Sequence, residues 1–117
     1  MNRYIVYIGH QARVAARKLA RLSTAVKNQA LLNVANALEE SQGEILMANR
    51  LDYQAGQQAG LSEAMLDRLL LNRERLAAIA ADVRNVASLP DPVGEQFDVR
   101  ALPNGLILGK RRVPLGV

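Results

Sequence analysis

The chain has no cysteine and no tryptophan, and only one phenylalanine, three tyrosines and one histidine in 117 residues. Without a thiol, disulfides, thiolate-held metals and a cysteine nucleophile are excluded within these residues. The single histidine, His10, has no serine or carboxylate at a recognisable spacing, so neither a triad nor a metal site is built on it, and a cap or surface role is expected. No glycine fingerprint for a nucleotide is present. The opening apolar run, residues 4–8, is too short for a signal-peptide core or a membrane span, so a cytoplasmic protein with no membrane partner is expected. Few aromatics also leave few platforms for stacking bases, and no nucleic-acid partner is expected.

What remains is the composition of one modest globular domain: half the residues are hydrophobic, mostly Ala, Leu and Val, and 22% are charged. The net charge is +4. Arg and Lys read as interspersed with Glu and Asp over most of the chain, so charge alone names no partner.

Residues 4–8 are compatible with a strand or with the lead-in to a helix. From Gln11, Ala12, Ala15, Ala16, Leu19, Ala20 and Leu22 fall on one helical face, while Arg13, Arg17 and Arg21 line another that reads as a solvated surface. Ser23 or Thr24 caps a second helix with a core stripe of Val26, Ala30, Leu31, Val34, Ala35 and Leu38. Residues 41–44, SQGE, have the pattern of a capping box and begin a new helix or a bend in the old one. Gly60 ends it; Ser62 and Glu63 open another with Met65, Leu66, Leu69 and Leu70 inward. Asn72 caps the last, which carries Leu76, Ile79, Ala80, Val83 and Val86 and stops before Pro90 and Pro92. Tyr53, Met47 and Met65 read as core or rim, and Glu39, Glu40 and Glu44 as capping and solvation.

Beyond Pro92 the period changes. Phe97, Val99 and Ala101 alternate with polar residues, as in a half-buried strand, and Asn104-Gly105 suits a two-residue hairpin turn into a second strand from Leu106. Lys110, Arg111 and Arg112 interrupt that strand and protect an edge or meet a partner. The run GLILGKR has the wrong glycine spacing for a phosphate-binding loop. The expected organisation is a helical region over 1–92 and a hairpin over 93–117. A lone hairpin is marginal in water, so something must cover it.

Four stretches carry a resemblance that no single motif does: ARKLARLSTAVKNQALLNVANALEE, EILMANRLDYQAGQQAGLSEAMLDRLLL, LPDPVGE and PNGLILGKRRVPLGV. In this order they closely resemble the amino-terminal part of the gamma-glutamyl phosphate reductases, or glutamate-5-semialdehyde dehydrogenases, of the aldehyde dehydrogenase superfamily. The resemblance spans roughly residues 12 to 117. It implies an α/β, aldehyde dehydrogenase-like enzyme of proline biosynthesis, with this chain a mostly helical layer followed by a β-hairpin. It implies reduction of L-glutamyl 5-phosphate to L-glutamate 5-semialdehyde by NADPH in the cytoplasm, and homo-oligomers assembled through a hairpin arm. It also implies a cysteine that forms a thioester accepting hydride. No cysteine is here, so no catalytic or metal residue is assigned, the cofactor residues are unknown, and the chain by itself is expected to be inactive. The end at Val117 reads as an interrupted strand. The alternative is a stand-alone helical binding or regulatory module.

Overall fold

The computed structural model describes residues 3–116. Five helices and two strands follow in order: α1 (Arg3–Leu19), α2 (Thr24–Glu40), α3 (Gln42–Gln58), α4 (Glu63–Leu69), α5 (Arg73–Ser88), β1 (Gln96–Ala101) and β2 (Ile107–Arg111). The expectation of a mostly helical chain closed by an antiparallel hairpin is met. The chain divides into two compact units. One comprises Asn28–Leu89; the other joins the segment up to Lys27 with the segment from Pro90 onward.

In the 28–89 unit the polar punctuation does what the sequence asks of it. Ser62 Oγ accepts from the Met65 N–H at 3.4 Å, and Asn72 Oδ1 accepts from the Arg75 N–H at 2.7 Å. Each satisfies a donor that has no partner inside its own helix. Gly60, at φ 75°, takes the left-handed conformation that ends α3. Gly56 is buried for a different reason: a Cβ there would lie 2.9 Å from Leu61 Cδ1 and 3.3 Å from Leu66 Cδ2, so only hydrogen lets α4 approach α3. Ala35, Leu66, Leu76 and Ala80 are the buried hydrophobic residues.

At the SQGE segment the expected bend and new helix are met, but the capping box is not. Ser41 makes no side-chain cap bond, and the helical ladder runs through it, Ser41 N–H to Ala37 O at 2.9 Å and Ile45 N–H to Ser41 O at 3.0 Å. With the Ser41 N–H already held by Ala37 O, the Glu44 carboxylate has no free donor there to cap, and Ser41 marks a bend. The inward stripes are also thinner than their periodicity suggests. Val26, Val34, Met47, Met65, Ile79 and Val86 are exposed, and the buried hydrophobic residues are few.

In the other unit the ambiguous residues 4–8 are helical and form the start of α1. Ser23 caps α2, its Oγ accepting from the Val26 N–H at 3.3 Å. Asp91 anchors the entry to the hairpin. Its carboxylate accepts from Thr24 Oγ1 at 2.8 Å and from the Val93 N–H at 3.0 Å, and it pairs with Lys27. The hairpin turn is longer than Asn104-Gly105 alone predicts. Leu102 N–H donates to Leu106 O at 2.7 Å and Gly105 N–H to Leu102 O at 2.9 Å, leaving a three-residue loop, 103–105. Only Gly105 has positive φ, 85°, whereas a two-residue type I′ turn needs it at both central positions. Pro103, whose φ is fixed negative, occupies the first loop position and favours this longer form. Val117 and the strand interruption read there lie outside the described residues.

Candidate docking interface

The hairpin is where the two regular alternations fail, and the reason is a bulge. Phe97 pairs with Lys110 and Arg100 with Leu108, so Asp98 and Val99 together oppose Gly109. Asp98 absorbs the extra residue at φ 54°, a left-handed conformation that Asp tolerates better than most side chains. Directly paired residues share a face, so Phe97, Arg100, Leu108 and Lys110 lie on one side and Gln96, Ala101, Ile107 and Arg111 on the other. This corrects the expected single apolar face of Phe97, Val99 and Ala101. The side chain of Val99 instead sits against Gly109, where an added Cβ would approach its Cγ2 to 3.2 Å.

Lys110 and Arg111 belong to β2 and do not interrupt it. Lys110 Nζ donates to Asp98 Oδ2 at 2.8 Å, and Arg112 Nε to Glu95 Oε2 at 2.7 Å. The two cations also flank the Phe97 ring at 5.8 and 5.1 Å. These pairs are exposed and contribute little to stability; their effect is to fix the orientation of Phe97. A shallow cavity of about 470 Å³ opens at the bulge, lined by Asp98, Val99, Arg100, Leu108, Gly109 and Lys110.

Neither face of the hairpin is covered. Every residue of β1 and β2 is exposed, Ile107 to 77%, and both outer edges of the two-stranded sheet are unpaired among the described residues. Helix α1 has no buried residue, and Ile5, Val6, Tyr7 and Ile8 are exposed all round its first turns. Beyond these turns α1 is amphipathic, with Arg13 and Arg17 on its polar side, and an amphipathic helix ordinarily lays its apolar side against a partner surface. The accessible surface of the chain is 9754 Å². Even two separate compact bodies of half its mass would together expose only about 7,600 Å². The excess is surface of the kind that interfaces bury.

The charge distribution is more polar than the even mixture expected. No Asp or Glu precedes Glu39, while Arg3, Arg13, Arg17, Lys18, Arg21 and Lys27 do. Arg13 and Arg17 border an open depression of about 270 Å³ that Pro114, Leu115 and Gly116 also line. His10 is exposed on α1.

Three polar arrangements in the 28–89 unit escape sequence reasoning. Asn49, 8% exposed, donates through Nδ2 to Leu69 O and accepts at Oδ1 from the Leu71 N–H, both at 2.8 Å, so one amide ties α3 to the α4–α5 connection. Arg75 donates to Leu70 O at 2.9 Å, to Asp67 Oδ1 at 2.6 Å and to Asp67 O. Glu39, read as solvated, forms a two-point pair with Arg84 at 2.8 and 2.6 Å, and Arg84 also reaches Asn36 Oδ1 at 3.0 Å. Hydrogen bonding from Arg84 lowers the Glu39 pKa, and Glu39 raises that of Arg84. The Lys27 contact, then the Val93 N–H and Thr24, hold Asp91 down from 3.8 to about 2. A groove of about 400 Å³ lies between Leu46, Arg50, Tyr53, Leu71 and Arg73. These partners satisfy one another, and no group of three or more metal-ligating side chains occurs among the described residues. No helix among them is long and apolar enough to cross a membrane.

No protein-family model matches the chain. Individual proteins do. A gamma-glutamyl phosphate reductase of Vibrio vulnificus is 57% identical over 113 residues, 97% of this chain and 27% of its own length. That of Aeromonas salmonicida is 59% identical over 110 residues, 94% of this chain and 26% of its own. Among solved structures, the gamma-glutamyl phosphate reductase of Thermotoga maritima superposes with a TM-score of 0.87 at 35% identity, covering 93% of this chain and 26% of that one. The Saccharomyces cerevisiae enzyme gives 0.79 at 30%, covering 88% and 26%. The chain spans about a quarter of the length of the relatives it matches.

Proposed function

We propose that these 117 residues are the amino-terminal scaffold of an NADPH-dependent gamma-glutamyl phosphate reductase, an aldehyde dehydrogenase-like enzyme that reduces L-glutamyl 5-phosphate to L-glutamate 5-semialdehyde and phosphate in the cytoplasm. The observation that carries this reading is 57% identity sustained over 113 residues to a reductase of which those residues are 27%. The uncovered apolar surface of α1 and the hairpin supports it, since such surface is stable in water only when another part of an assembly is laid against it.

In this division of labour residues 1–92 form a helical scaffold and residues 93–117 an arm leading toward the cofactor-binding sheet. The arm meets a second subunit in a homo-oligomer. The nucleophile, the groups that stabilise the oxyanion and the contacts to NADPH come from other parts of the enzyme, because these residues hold no thiol.

The test is replacement of the matching segment of the Vibrio vulnificus reductase by this chain, assayed by NADP reduction with glutamate semialdehyde and phosphate. The chimaera is expected to keep kcat/KM within about tenfold of the parent, a transition-state difference under about 1.4 kcal/mol. The 117 residues alone are expected to give no turnover. A folded but inactive chimaera, or turnover by the chain alone, contradicts the proposal.

A further inference from the structure

The turn of the hairpin carries a chemical liability that the other asparagines lack. Of eight asparagines, only Asn104 precedes a glycine. Asn28, Asn33, Asn36, Asn49 and Asn85 lie inside helices, where the following N–H is held in the backbone ladder, and Asn72 caps α5. Asn104 and Gly105 are both exposed, and nothing lies within 4 Å of where a Gly105 Cβ would stand. Gly105 carries no side chain that could hinder attack by its own nitrogen on the Asn104 amide, and it has the widest backbone freedom of any residue.

We propose that Asn104 is a site of spontaneous modification that converts the hairpin from a registered to an unregistered form. The Gly105 backbone nitrogen loses its proton to solvent base and attacks Asn104 Cγ. The new C–N bond closes a five-membered succinimide, the Cγ–Nδ2 bond breaks, and the side-chain nitrogen leaves as ammonia after taking up a proton. Water then opens the ring at either carbonyl, giving aspartate or isoaspartate, with no oxidant or reductant involved. Holding nucleophile and carbonyl in adjacent residues makes the step intramolecular, which is its main advantage over hydrolysis by bulk water.

Two hydrogen bonds oppose the reaction in the intact turn. Gly105 N–H is engaged with Leu102 O at 2.9 Å, and Asn104 Oδ1 accepts from the Leu106 N–H at 3.2 Å. Reaction thus requires transient opening of the loop, and whatever covers the arm in an assembly slows it. The isoaspartate product adds one backbone carbon to a loop whose length sets the strand register. The 2.7 Å bond from Leu102 N–H to Leu106 O and the pairing of Ala101 with Ile107 are lost.

The experiment incubates the full chain at mildly alkaline pH and follows each asparagine by peptide mass spectrometry, with fragmentation that separates aspartate from isoaspartate. Amide hydrogen exchange is read at Leu102 and Leu106. Asn104 is expected to react about tenfold faster than any other asparagine, a barrier lower by about 1.4 kcal/mol. Exchange at Leu102 is expected to speed up in the isoaspartate fraction, while N104Q, whose longer side chain cannot close the five-membered ring, stays unmodified with the same turn. Modification that begins at another asparagine overturns the site. Modification at Asn104 with unchanged Leu102 exchange overturns the loss of register.

Discussion

The two units of this chain are built from similar residues but finished differently. In the 28–89 unit the caps, the Asn49 amide and the Arg75 guanidinium satisfy the backbone groups at the helix ends, and Leu76, 2% exposed, fills a small core. In the other unit the polar anchoring is the Ser23 cap, the Asp91 carboxylate and two exposed ion pairs on the hairpin, and the apolar residues of α1 and the hairpin face outward. The lesson is that local consistency and burial are separable. A segment can be fully specified in its secondary structure and still depend on surface supplied by another part of an assembly.

The largest expected effect that sharpens this contrast is L76A, which removes the largest fully buried side chain and is expected to cost about 3 kcal/mol in denaturant unfolding of the 28–89 unit. N49A follows. It strands Leu69 O and Leu71 N–H in a part-buried setting, and a loss of about 2 kcal/mol is expected by the same measurement. The cap variant N72A is expected to cost about 1 kcal/mol, visible as early fraying of α5 in hydrogen exchange.

The pH response belongs to the other unit. Asp91 has a folded pKa below its ordinary value, so its contribution is fully present above 3.8 and is lost as pH falls toward about 2. A carboxyl titration followed by NMR is expected to find its midpoint near 2. A midpoint near 3.8 would show that Lys27, Val93 and Thr24 do not hold it. Smallest of all on stability is I107S: its side chain is exposed, so unfolding of the chain alone is expected to change by less than about 0.5 kcal/mol. The same substitution in the full-length chimaera is expected to weaken subunit association in sedimentation, a split that no residue of the 28–89 core should show.

Helices were legible in the sequence wherever capping and glycine signals agreed, as at Ser23, Gly60, Ser62 and Asn72. The SQGE pattern misled because a capping box and a continuous ladder compete for the same donors, and only the three-dimensional path decides which wins. Residues 4–8 were ambiguous because five apolar residues fit either period. The bulge at Asp98 left no signal, since aspartate tolerates positive φ without requiring it, and its one-residue shift exchanged the faces of Val99 and Ala101 with respect to simple alternation. The Asn104-Gly105 signal located the turn but not its length, which Pro103 helps to set. Asn49 and the Arg84–Glu39 pair join residues 20 to 45 positions apart, beyond what spacing along a helix reveals.

The most direct test of the account is amide hydrogen exchange of these residues alone and within the full-length chimaera. Exchange in Arg3–Leu19, Gln96–Ala101 and Ile107–Arg111 is predicted to slow strongly in the longer enzyme, while Gln42–Gln58 and Arg73–Ser88 change little. Unchanged exchange in α1 and the hairpin would mean that their apolar surface is not covered there, and would contradict the reading of this chain as the scaffold of a larger enzyme.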